Sequence, residues 1–211
     1  MDGVYRWQRY IYDASRKFYL LGRDRLVDEL AVPACGTVLE IGCGTGRNLI
    51  LAARRYPHAS FFGLDISAEM LATAHGNIRR ASLDKRVSLA RADATRFDAD
   101  GLFGQRSFDR VFISYALSMI PGWEQAVAAG VAVLSPGGSL HVADFGGQEH
   151  MPHWCRSALR AWLTRFHVTP RDDLGTLMEG IATQGRRTFV ARPLYRGYAW
   201  LGTIGPVTAT P

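Results

Sequence analysis

Cysteine is scarce in this 211-residue chain, and the three present, Cys35, Cys43 and Cys155, stand far apart from any partner motif. They are odd in number and show neither CxxC nor His-paired spacing, which excludes a disulfide framework and a structural zinc site. No metal is expected, and a reducing cytosol fits best. Long apolar runs are missing too: no stretch of 18 apolar residues occurs, and the first 30 residues are studded with Arg, Asp and Glu instead of an apolar signal core. The expectation is a cytoplasmic protein with neither a membrane span nor an export signal. There is no internal repeat. Apolar residues at 47% and charged residues at 21% lie near the globular average, so disorder is not supported. One α/β domain fits this length, whereas two ordinary domains plus linkers do not.

What the chain does have is the stretch Thr37-Val-Leu-Glu-Ile-Gly-Cys-Gly-Thr-Gly-Arg-Asn48, which reads as strand, tight loop and helix. Gly42, Gly44 and Gly46 remove Cβ atoms where the backbone turns sharply, and the loop delivers a ligand to the helix N-terminus. A dinucleotide fingerprint, GxGxxG, would need its third glycine where Arg47 stands, and this spacing counts against a dehydrogenase.

A repeating strand–helix pattern follows, and crossovers of this kind build a parallel sheet. The first helix runs over about 47–56 and stops at Pro57. The second strand is 60–65, followed by a helix over 68–80 capped by Ser67. Asp65 lies 19 residues after Gly46 at a strand's C-terminal end, where a carboxylate can accept hydrogen bonds from both ribose hydroxyls or can cap the next helix. The third strand, 86–92, ends in Asp93-Ala94-Thr95. The fourth, 108–115, runs on to Pro121 and a helix around 123–134. A proline–glycine turn at 134–138 precedes the fifth strand, 139–144. Two alternating segments, 186–192 and 195–201, supply a C-terminal antiparallel hairpin.

The flanks carry aromatic and basic residues. Residues 4–30 read as one or two helices with a break at Gly22, and Tyr5, Tyr12 and Tyr19 fall seven apart, each within roughly 20° of the last on a continuous helix. In 150–171 the residues Trp154, Ala158, Leu159, Trp162, Leu163 and Phe166 share one helical face, with Arg156 and Arg160 on the other. That pattern suits core packing, and it also suits a helix resting on a membrane interface. The net charge of +6 is uneven: residues 1–149 carry 17 Lys+Arg against 16 Asp+Glu, and residues 150–211 carry 8 against 3. Such a bias attracts nucleic acid, anionic lipid headgroups or acidic metabolites, or forms a solvated basic surface.

Glu40-x-Gly-x-Gly-x-Gly46, Asp65 and Asp93-Ala94-Thr95, in this order, resemble the motifs of class I S-adenosylmethionine (SAM) dependent methyltransferases. The resemblance implies an α/β fold with a doubly wound, Rossmann-like seven-stranded sheet, in a single domain spanning 1–211. Its parts would be an N-terminal helical lid (1–30), a SAM-binding core (37–146), an amphipathic insert (150–171) and a C-terminal hairpin (186–204). It implies SAM as cofactor and S-adenosylhomocysteine as product. The acid Glu40 would support the loop or the ligand's ammonium, and Gly42, Gly44, Thr45, Gly46 and Asn48 would pass beneath the methionine and ribose. Asp65 would take the ribose, Ile66 and Met70 the adenine, and Asp93 the adenine amino group, with Ala94 and Thr95 beside the ring. Ser114, Tyr19 and Arg23 complete the expected cofactor site, and Arg23, Arg47 or Arg165 can pair with a carboxylate.

The runs 5–13, 17–25, 112–121 and 162–170 resemble a narrower group, the bacterial betaine-lipid N-methyltransferases of the BtaB type. These convert diacylglycerylhomoserine to its N,N,N-trimethyl form in three SAM-dependent steps. The fourth-strand motif Ile113-Ser114-Tyr115-Ala116 is not the Asn- or Asp-Pro-Pro-Tyr that holds an amide or base amino group, and no Pro-Cys nucleophile occurs. A lipid-headgroup substrate with transient membrane-surface contact is therefore expected, and nucleic acid is not. Tyr12, Tyr19 and Tyr115 are the expected catalytic residues, their ring faces stabilising the methylated ammonium. With His141 and His167 they are also the candidates to take a proton from the amine. A methyltransferase for a soluble metabolite, quinone or natural product, and a catalytically silent SAM-binding protein, remain as alternatives. Oligomeric state is left open.

Overall fold

The computed structural model describes residues 20–148, Ser157 and residues 170–207. The readings that fall on residues 4–19 and on most of 150–171, including those for Tyr12, Tyr19, Arg165 and His167, lie outside the described residues.

Seven strands form one sheet in the order β3-β2-β1-β4-β5-β7-β6. At its centre β1 (Thr37–Ile41) is a continuous apolar run interrupted by one acid, and four of its five residues are buried. It pairs in parallel with β2 (Ser60–Asp65) on one side and β4 (Phe108–Ser114) on the other. Helices cover both faces, as an all-parallel centre requires. Alternation along β1 divides the core. Val38 joins Leu49, Ala52 and Phe61 on one face, while Leu39 and Ile41 join Val111, Trp123 and Met178 on the other. Glu40 shares the face of Val38, which is why this acid ends up buried beneath a helix.

That helix, α2 (Arg47–Arg55), starts directly after the glycine loop and ends before Pro57; it follows the short α1 (Arg23–Asp28), which begins after Gly22. Its last turn is closed by Arg86, whose guanidinium donates to the carbonyls of Ala53, Tyr56 and Ala59. Next, α3 (Ala68–Arg80) opens with the Ser67 hydroxyl accepting from the Met70 amide at 3.3 Å, the cap expected from the sequence. Arg79 and Arg80 in its last turn complement the helix dipole. The third strand, β3 (Val87–Arg91), lies at one edge, and α4 (Ala99–Phe103) and α5 (Trp123–Ala132) flank β4.

Three features differ from the sequence reading. The segment read as a turn at 134–138 is the start of a long strand, β5 (Leu134–Phe145), with a register shift where Phe108 pairs with Leu134 and Arg110 with Ser139. Gly138 there lies so close to the Phe108 carbonyl that a Cβ would sit 2.8 Å from it, so this glycine serves close strand approach. The helices α4 and α6 (Leu174–Gln184) were not expected; in α6, Leu174, Met178 and Ala182 recur every fourth residue and are buried, which outweighs the poor helix propensity of Gly175 and Gly180. The hairpin of β6 (Arg187–Leu194) and β7 (Ala199–Val207) is present, with β7 antiparallel to both β5 and β6. Among the described residues, no helix is long and apolar enough to cross a membrane.

Candidate cofactor and active site

From β1 the chain crosses to β2 and β3 on one side, then returns to β4 and β5 on the other. The loops at the C-terminal ends of β1 and β4 therefore diverge, and open α/β sheets bind ligands in the crevice so formed. A cavity of about 1010 Å³ occupies this position, at the upper end of the ~300–1,000 Å³ common for small-molecule sites.

The glycines of the loop have different tasks. Gly42 has φ 74° and lies so near the end of β4 that a Cβ would sit 2.6 Å from the Cβ of Ala116. At Gly44, also left-handed at φ 52°, nothing lies within 4 Å of a Cβ, and the residue lines the cavity. Gly46 does not line it. It starts α2 and lets that helix approach α3, with a Cβ 3.2 Å from that of Ala74, so its part in the expected cofactor set is indirect.

Asp65 binds the loop and the following turn at once. Its Oδ2 accepts from the Gly44 amide at 2.8 Å and its Oδ1 from the Ser67 amide at 2.9 Å. A carboxylate has about four lone-pair sites, so each oxygen keeps capacity for a hydroxyl in the cavity that Asp65 lines. At the far lip Asp93 is exposed and makes a tight turn, its Oδ1 accepting from both the amide and hydroxyl of Thr95. Those bonds hold its carboxyl below the usual range. Ala94, Thr95, Met70 and Ile66 line the same end, where Ile66 is a large apolar side chain left 65% exposed.

Beneath the loop, Glu40 is 1% exposed. One oxygen accepts from the Asn48 side-chain amide at 2.8 Å, and Oε2 has no hydrogen-bond partner among the described residues. Burial pushes its carboxyl up to about 8, against the Asn48 bond and the pull of Arg23 and Arg47. Arg23, itself buried, and Thr45 line this end too. Arg47 ties α1 to the start of α2, donating to Asp24 at 2.7 Å and to the side-chain oxygen of Asn48 at 3.2 Å.

Tyr115 lines the cavity, but it is 3% exposed and its hydroxyl donates to the Leu21 carbonyl at 2.5 Å. Its ring packs edge-on against Phe145 with centroids 4.8 Å apart, and burial raises its phenol well above the ordinary value. A phenol so placed is a donor to backbone and a poor proton acceptor. Ser114 contributes a buried hydroxyl without a described partner. His141 is a correction: it lies away from the cavity, its Nε2 2.8 Å from the Ser139 hydroxyl and its Nδ1 3.4 Å from that of Thr203. Desolvation by its surroundings lowers its pKa to about 4; it is a half-buried neutral side chain outside the cavity lining and not a proton acceptor of the site.

Several residues of the site escaped the sequence reading. Asn77 of α3 reaches across to donate to the Thr45 carbonyl at 2.9 Å, and Cys43, Met119, Ile120 and Gln125 complete the lining. Their positions depend on helix packing and on the course of an irregular loop, for which no local pattern exists. No group of three His, Cys, Asp or Glu side chains able to hold a metal occurs among the described residues.

The strand order, with β7 alone reversed and the glycine loop opening onto the crevice beside β1, is the architecture of class I SAM-dependent methyltransferases. Residues 38–138, just under half of the chain, match the family model described as a methyltransferase domain. It is 31% identical over 134 residues to a phosphatidylethanolamine N-methyltransferase of Cereibacter sphaeroides, covering 64% of this chain and 61% of the relative. It is 30% identical over 139 residues to a demethylmenaquinone methyltransferase of Lactobacillus johnsonii, covering 63% and 55%. The chain spans about half the length of the curated relatives it matches. An O-methyltransferase family protein of Burkholderia thailandensis shares the fold with a TM-score of 0.71 at 18% identity, covering 94% of this chain and 60% of that one.

Proposed function

We propose that this protein methylates the amine of a lipid headgroup, converting diacylglycerylhomoserine in three steps to diacylglyceryl-N,N,N-trimethylhomoserine. The observation that carries the lipid-amine reading is the 31% identity to the phosphatidylethanolamine N-methyltransferase. The betaine-lipid resemblance of residues 5–13, 17–25, 112–121 and 162–170 narrows it to homoserine.

The cavity fits SAM on its own terms. Gly44 leaves the floor open to a close-lying ligand, Asp65 retains acceptor capacity for a diol, and the orphaned Glu40 oxygen suits an ammonium. Asp65 would hold the ribose, Asp93 the adenine amino group, and Ile66 and Met70 the adenine face. When bound, SAM supplies a methyl group on a sulfonium, transferable by in-line displacement without a metal. The protein then has to align the amine and exclude water. Ala116, Met119 and Ile120 give the cavity an apolar side for that purpose. Tyr12 and Tyr19 are proposed to offer ring faces to the ammonium that accumulates methyl groups. Tyr115 contributes ring surface while its hydroxyl stays on Leu21. The basic excess after residue 150 supports transient contact with an anionic membrane from the cytoplasmic side.

Mass spectrometry of vesicles containing diacylglycerylhomoserine or phosphatidylethanolamine, incubated with protein and SAM, tests this. Gains of one, two and three methyl groups on the homoserine lipid alone are expected. Gain on phosphatidylethanolamine alone would move the substrate to that lipid. A second reading, methylation of a quinone, draws on the 30% identity to the demethylmenaquinone methyltransferase, and vesicles carrying demethylmenaquinone provide its control.

A further inference from the structure

The residues 116–122 form one long wall of the cavity. At one end Ala116 abuts Gly42, and at the other a Cβ on Gly122 would lie 2.9 Å from Cγ2 of Thr95. The wall therefore runs from the glycine loop to the Asp93 turn, past the whole length of the proposed cofactor site. Its own structure is slight: a three-residue 3-10 turn at Leu117–Met119, with Met119 N–H on the Ala116 carbonyl at 3.0 Å and Ile120 N–H on that of Leu117 at 3.3 Å. So short a turn does not hold itself.

One charged side chain holds it from behind without lining the cavity. Arg171 donates Nε to the Leu117 carbonyl at 3.2 Å and Nη2 to those of Ile120 at 3.3 Å and Ser118 at 3.5 Å. Its guanidinium also lies 5.7 Å over the ring of Trp123, in the first turn of α5. Three carbonyls of the turn are thus held by one guanidinium. A planar guanidinium can serve several carbonyls at once, which the point charge of a lysine cannot.

We propose that Arg171 is a positioning residue, a clamp that holds residues 116–122 in the shape that admits SAM. The inference rests on the SAM-site reading above, yet part of its test needs no ligand. Amide exchange in the ligand-free protein should quicken at residues 117–120 by tenfold or more in Arg171→Lys. Calorimetry with SAM should show a Kd raised about tenfold in the same variant, with Trp123 fluorescence shifted. Exchange and affinity within twofold of the parent in Arg171→Lys would overturn the clamp. A parent protein that binds no SAM would overturn the site reading, while the exchange comparison would still decide the clamp. The lysine variant keeps the cation, so the test survives if Arg171→Ala fails to fold.

Discussion

Glu40→Gln isolates the most unusual titration in the site. The Glu40 carboxyl is shut from water, one oxygen is held by Asn48, and its pKa is raised from 4.5 to about 8. The folded protein therefore binds a proton that the unfolded chain releases between pH 4.5 and 8, and folding stability contributed by this group falls as pH rises through that window. At about 1.4 kcal/mol per pH unit, the full swing is on the order of 5 kcal/mol. A glutamine side chain accepts the Asn48 bond equally well and cannot ionise, so the substitution removes the slope while leaving a constant offset. Urea unfolding at about pH 5, 6, 7 and 8 measures this directly. Parent stability should fall relative to the variant by several kcal/mol across the series, with Asp144, whose pKa is also raised, to about 7, cancelling because both proteins keep it. Binding of the cationic cofactor should in turn expel the proton. Calorimetry near neutral pH in buffers of different ionisation enthalpy should find close to one proton released by the parent and none by Glu40→Gln. Parallel stability curves over the whole series would refute the reasoning.

Asp65→Ala removes two backbone anchors and the proposed ribose acceptor together, and SAM affinity by calorimetry should fall about 100-fold, the scale of two charge-assisted hydrogen bonds; unchanged affinity would remove the ribose assignment. Gly42→Ala meets both a left-handed backbone and the Ala116 methyl, so chemical denaturation should show a loss above about 2 kcal/mol, whereas Gly44→Ala, with open space around it, should lose only about 1 kcal/mol. Equal losses at the two positions would show that the close contact with Ala116 carries no energy. Tyr115→Phe keeps the ring and loses the bond to Leu21, with an expected cost of about 1 kcal/mol and turnover retained; abolished turnover at parental stability would return the hydroxyl to the chemistry.

The central sheet was legible because each of its signals is local. Thr37–Ile41 and Ser60–Asp65 are short apolar runs with a turn or cap at each end, and Ser67 caps its helix as the spacing required. Asp65 was found for the same reason, standing at a strand end one crossover after the glycine loop. The long β5 was cut short because proline and glycine at 136–138 ordinarily signal a turn, and only the neighbouring β4 reveals that Gly138 allows close approach. His141 and Tyr115 show the opposite failure. Both have side chains capable of the chemistry, and only the fold reveals that His141 is bonded to Ser139 and Thr203 outside the cavity and that the Tyr115 hydroxyl is already committed to Leu21. Asn77 and Arg171 carried no signal at all, since each acts on carbonyls more than 30 residues away.

The position of β7 has a consequence for biosynthesis. Residues 199–207 pair on one side with β5 and on the other with β6, so β5 has an open hydrogen-bonding edge until Val207 has left the ribosome. Strands β1 to β4 can assemble while translation continues, but the Leu140–Phe145 edge stays unprotected for about sixty residues more. Chaperone dependence in the cell should concentrate in the interval between the synthesis of β5 and that of β7.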